Sequence, residues 1–203
     1  MSKCYILKVG IIGSFNIGKT SFLNTYIEQE SVNSQLSTIG VDYRHKIYNC
    51  SDKDYKLHIW DTAGQEQFSS IVRSYLRQLD VMILMYDITD KKSFQDLDKR
   101  IEEVDFVNKD KEVIKYIVGN KKDLESKRLV TFREAKKYCN QQNIQFSETT
   151  IKDISSINLV FDKIMEEVDK KLMEKKINLK LFYNLEVDLP EIPCDKSKCC
   201  NIL

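Results

Sequence analysis

Apolar residues follow two rhythms along the chain. Residues 5–12, 81–86 and 113–118 are near-continuous apolar runs, the pattern of strands buried on both faces. Residues 41–49 and 55–59 alternate instead, through Val41, Tyr43, Ile47 and then Tyr55, Leu57, Ile59. The polar stretch Ser51 to Asp54 between them predicts a hairpin turn. Elsewhere the spacing is helical. Phe22, Leu23, Tyr26 and Ile27 share one face, and Phe94, Leu97, Ile101 and Val104 another, with Ser93 as its candidate N-cap. Residues 132–141 predict a helix and 144–147 a short strand. Ile154, Ile157, Phe161, Ile164, Val168 and Leu172 stripe a long final helix. The order β-α-β-β-α-β-α-β-α-β-α predicts an α/β fold. Its sheet would be mostly parallel and six-stranded, flanked by helices, with one antiparallel hairpin strand.

Composition narrows the function. The chain has 203 residues, enough for one domain and a surplus. Its formal net charge of +1 leaves no basic footprint for nucleic acid. Cys4, Cys50 and Cys139 are isolated, without metal-ligand or disulfide spacing, which fits a reducing, cytosolic compartment. Cys194, Cys199 and Cys200 crowd the last ten residues, and both prolines lie close by. We read residues 1–176 as the folded domain and 177–203 as a flexible tail.

The chemistry begins at Gly13-Ser14-Phe15-Asn16-Ile17-Gly18-Lys19-Thr20, which satisfies G-x4-G-K-[ST] between a buried strand and a helix. Amide hydrogens of such a loop and of the helix start, through Ser21, face an anion and settle phosphates. Lys19 would neutralise the terminal phosphates, and the Thr20 hydroxyl would bind Mg²⁺. The bland alternative is a glycine-bearing strand-helix turn with a chance lysine. Asp61, at a strand end, could hold Mg²⁺, Gly64 could offer its N–H to a third phosphate, and Gln65 could orient water. Asn120-Lys121-Lys122-Asp123 follows another buried strand. A carboxylate there can accept from the N1–H and 2-amino groups of guanine, which adenine does not present; a polar turn is the alternative. Thr38, in a polar loop, could close over Mg²⁺ and the third phosphate. Four of six glycines (Gly13, Gly18, Gly40, Gly64) fall inside these segments, which argues that they act as one site.

From residue 5 to 176 the sequence resembles the Ras-superfamily small GTPases, and within them the Rab branch. The resemblance is carried by residues 39–43, 56–68, 75–77 and 86–90 together with the motifs above. It implies a P-loop NTPase small G domain that binds and hydrolyses GTP with Mg²⁺. Thr38 takes the switch I position, and Asp61, Gly64 and Gln65 that of switch II. Asn120, Lys121 and Asp123 read guanine, and Thr150, Ile151 and Lys152 occupy the last guanine loop. Tyr43, Trp60 and Tyr75 would be the effector-facing aromatic triad. For Trp60, ordinary sheet packing is an equal alternative. The departures are Phe15 where the family has a small residue, Ser31 where it has a ring against guanine, Gln67 for an arginine, and Thr150-Ile151 in the last loop. Phe15 is expected either to displace Gln65 and slow hydrolysis or to turn out to solvent. Ser31 is expected to speed GDP release unless a neighbour such as Tyr26 stands in.

Cys200-Asn-Ile-Leu203 is a loose C-a-a-X signal, and Cys199 adds a second acceptor. The tail carries three lysines against four acids, so no polybasic patch reinforces a single lipid, and double prenylation is the expected anchor. The alternative is a tail of free thiols. The reading is a monomeric GDP/GTP switch on the cytoplasmic face of an intracellular membrane. It implies effectors, an exchange factor, a GTPase-activating protein, a prenylation escort and a GDP-dissociation inhibitor. Two rivals remain: a GTP-locked or fast-exchanging scaffold, and a P-loop small-molecule kinase.

Overall fold

The computed structural model describes residues 3–29, 41–50, 53–62, 76–77 and 79–182. The apolar runs form β1 (Lys3–Gly13), β4 (Val81–Asp87) and β5 (Ile114–Asn120). Every residue of β4 is buried, as its unbroken apolar character requires. The alternating runs form β2 (Val41–Asn49) and β3 (Lys53–Thr62), an antiparallel pair with Tyr43 opposite Trp60 and Asp42 opposite Asp61. With β6 (Gln145–Glu148) the sheet order is β2-β3-β1-β4-β5-β6, and every pairing on that path except β2–β3 is parallel.

Helices cover both faces. On one side α1 (Lys19–Glu28) and α5 (Ile154–Met173) press Phe22, Leu23, Phe161 and Ile164 onto Leu7, Leu57, Ile83 and Tyr116. On the other, α2 (Lys91–Gln95), α3 (Leu97–Val107) and α4 (Phe132–Gln141) bring Phe94, Leu97, Val104 and Cys139 against Met82, Leu84 and Ile117. Each such buried side chain contributes about 1.5–3 kcal/mol over an exposed one.

Three details depart from the sequence pattern. The stripe from Phe94 to Val104 is two helices broken at Asp96, and Asp90 rather than Ser93 caps the first, accepting from the Lys92 N–H. Ser93 is buried instead and its hydroxyl accepts from the Asp87 N–H, fixing the end of β4. A 3₁₀ helix (Lys122–Lys127) follows β5. Packing also continues past residue 176. Ile177 is 5 % exposed in the core, Leu179 packs against it, and β7 (Lys180–Phe182) pairs antiparallel with β1 from Cys4 to Ile6, making a seventh strand.

Parallel strands end together, so Gly13, Asp87, Asn120 and Glu148 meet along one rim with Asp61, as in any open α/β sheet that binds ligand at its carboxyl ends.

Candidate functional site

The loop from Gly13 to Thr20 leaves the centre of that rim. A Cβ on Gly13 would collide with the Ile17 side chain and the Met85 carbonyl. Gly18 has φ 91°, and a Cβ there would lie 2.7 Å from Asn120 Nδ2. Both positions therefore demand glycine for geometric reasons. Helix α1 starts after Gly18 with no side-chain cap, so the positive end of its dipole faces the loop. The loop hydroxyl Ser14 Oγ donates to Asp96 Oδ2 at 3.1 Å. Ile17 and Ser21 are buried, Asn16 adopts φ 61°, and Phe15 is 53 % exposed.

Lys19 is 6 % exposed, and its Nζ donates to the carbonyls of Gly13 at 3.0 Å and Ser14 at 2.9 Å. Burial pulls its pKa down to about 8; the nearby Asp61 opposes the shift, and Arg100 adds to it. Thr20 Oγ1 donates to Asp61 Oδ2. Those two hard oxygens, 41 residues apart in sequence, are the donor set Mg²⁺ accepts alongside phosphate and water, so the residues fit the ion.

Three further loops are tied to this one. Asn120 Nδ2 donates to the Ile17 carbonyl at 2.8 Å, and Lys121 Nζ to the Asn16 carbonyl at 2.8 Å, while also pairing with Asp87 at 2.7 Å. Asp123 Oδ1 accepts from Thr150 Oγ1 at 2.7 Å, and its Oδ2 pairs with Lys152 at 2.8 Å. Burial works to raise the Asp123 pKa, but the Lys152 and Thr150 contacts outweigh it and hold the carboxyl below its usual value. Ile151 is partly buried against the core. The structure thus brings Asn120, Lys121, Asp123, Thr150 and Lys152 to one place beside the phosphate loop.

Tyr43 and Trp60 sit on the β2–β3 ribbon with ring centroids 5.6 Å apart. Tyr43 is exposed, whereas Trp60 is partly buried and packs on the core, the sheet packing read as its alternative. Ser31, Thr38, Gly64, Gln65, Gln67, Tyr75, Cys199 and Cys200 lie outside the described residues.

Against models of known families, residues 8–170 match the Ras family. The chain belongs to that family. Curated relatives place it in the Rab branch. Ras-related protein Rab-1C of Dictyostelium discoideum is 39 % identical over 84 % of each chain. Rab-3 of Caenorhabditis elegans is 38 % identical over 84 % of this chain and 77 % of its own. Rab-1A of Dictyostelium discoideum is 34 % identical over 97 % of both. This Rab-branch protein is a GTP hydrolase.

One feature of the GTPase escaped sequence reasoning. Arg128 makes a two-pronged contact with the buried Glu148, at 2.7 and 2.8 Å, and a second with Glu125. Glu125 lies two residues after Asp123, and Glu148 two before Thr150. The guanidinium therefore clamps the loop after β5 to the loop after β6. Partners 20 residues apart carry no spacing signature.

Proposed function

We propose that this GTPase is a membrane-anchored switch of Rab type that cycles between GDP and GTP and directs vesicle traffic. The observation that supports it best is the pair of hydrogen bonds from Asn120 and Lys121 to the loop from Gly13 to Thr20, because they tie the segment matching the guanine motif to the segment matching the phosphate motif. Guanine would dock its N1–H and 2-amino group on Asp123, displacing Lys152 from Oδ2. Loop amides from Gly13 to Ser21 and the Lys19 ammonium would hold the phosphates. Thr20, Asp61 and Thr38 would hold Mg²⁺, which neutralises charge on the phosphate oxygens when bound. Gly64 would hydrogen-bond the third phosphate, and Gln65 would orient the attacking water. Half exposure of the Phe15 ring favours its pointing to solvent over slow hydrolysis.

Output would be recognition. The third phosphate would order the loops bearing Thr38 and Gly64, and effectors would read that state on Tyr43, Trp60 and Tyr75. An exchange factor and an activating protein would drive the cycle. An escort and a GDP-dissociation inhibitor would handle prenyl chains on Cys199 and Cys200, keeping a cytosolic pool.

Each buried CH₂ of a prenyl chain contributes about 0.8 kcal/mol, and a single chain holds a protein only marginally. The double change Cys199→Ser, Cys200→Ser is therefore expected to move the protein wholly to the cytosolic fraction. Membrane recovery equal to wild type, or a mature C-terminus without prenyl mass, contradicts the anchor.

A further inference from the structure

Helix α3 touches the phosphate loop and presents a cation that the motifs do not include. Asp96, the residue before α3, accepts from Ser14 Oγ at 3.1 Å and from the Arg100 N–H, through its carbonyl, at 3.1 Å. Arg100 thus stands one turn along a helix whose start is fastened to the loop. Its side chain is 17 % exposed. Among the described residues the guanidinium makes one long contact, from Nη1 to Glu103 at 3.3 Å, and its buried Nε has no acceptor. An arginine removed from water ordinarily takes a two-pronged carboxylate or phosphate partner, and leaving it short of one is costly unless an anion arrives from elsewhere.

We propose that Arg100 is a second cation of the phosphate site, whose field adds to that of Lys19 and favours GTP over GDP because the third phosphate brings additional negative charge. Arg100 acts here as a positioning charge. The inference rests on the nucleotide reading above and goes beyond its residues. The loop lies within reach of that charge, since Ser14 is held by Asp96, one helical turn before Arg100. Partial burial keeps salt from screening it out. Glu103 is the only counter-charge seen on the guanidinium among the described residues, so it tempers that field.

The test compares GTP and GDP affinities of the full chain by displacement of a fluorescent GDP. Arg100→Gln is expected to lower the GTP-over-GDP preference about three- to tenfold. Glu103→Gln is expected to raise it, and Arg100→Lys, which keeps the charge, to stay near wild type. An unchanged ratio in Arg100→Gln, or equal loss for both nucleotides, overturns the proposal. If Arg100→Gln fails to fold by thermal melting, Glu103→Gln decides: an unchanged or lowered preference there overturns it. Failure of the wild type to bind either nucleotide would instead overturn the phosphate-site reading beneath it.

Discussion

Lys19 shows how a residue's surroundings set its chemistry. The sequence motif names it, but only the fold explains why its ammonium is buried on two carbonyls with a pKa near 8 instead of 10.5. Between those two values the unfolded chain holds the extra proton, so the ligand-free protein gains stability from this group as pH rises through that window. Phosphate binding has the opposite sign, because it needs the protonated form. GDP affinity is therefore expected to be level below pH 8 and to fall about five- to tenfold between pH 8 and 9, as measured by calorimetry. A level affinity across that range contradicts the assignment. Ser31 gives a second case. Tyr26, the ring that could have stood in for it, is 3 % exposed, stacked on Phe161 with centroids 3.5 Å apart and covered by Lys46. Ser31→Tyr is accordingly expected to slow GDP release several-fold, the worth of one aromatic contact. An unchanged release rate of a fluorescent GDP would count against the missing ring. Residues in motifs were legible because their chemistry demands fixed spacing. Arg128 was not, because its role comes from partners that the fold supplies.

Elements were legible where one face or both faces are buried along their length. The all-apolar run of β4 and the stripe of α5 appear in the structure almost as written. The α2–α3 break was hidden because Phe94, Leu97, Ile101 and Val104 keep helical spacing across Asp96. Strand β7 was hidden for another reason: three residues, Lys-Leu-Phe, hold no periodicity of their own. They form a strand because β1 begins pairing with β4 only at Val9, which leaves its earlier edge beside Cys4 to Ile6 to be completed. The link from α5 to β7 is held by Ile177. Ile177→Ala is expected to cost about 2–4 kcal/mol in urea unfolding, the range for a buried isoleucine. A change under about 0.5 kcal/mol, the usual surface value, would mean that residues 177–182 add nothing to the fold.

At the scale of the whole molecule, a central parallel sheet gathers loops from distant parts of the chain onto one rim. Gly13, Asp61, Asp87, Asn120 and Glu148 come from five strands, and their following loops interlock through Asn120, Lys121 and Arg128. That convergence is what strand order adds to the separate motifs, and it brings them to one place. The most direct measurement is single-turnover hydrolysis by the full chain loaded with GTP in Mg²⁺, with ATP as control. The expected result is Mg²⁺-dependent phosphate release from GTP, none from ATP under the same conditions, and retention of GDP afterwards. Equal turnover of ATP and GTP, or no phosphate released from bound GTP, would contradict a guanine-specific hydrolytic switch.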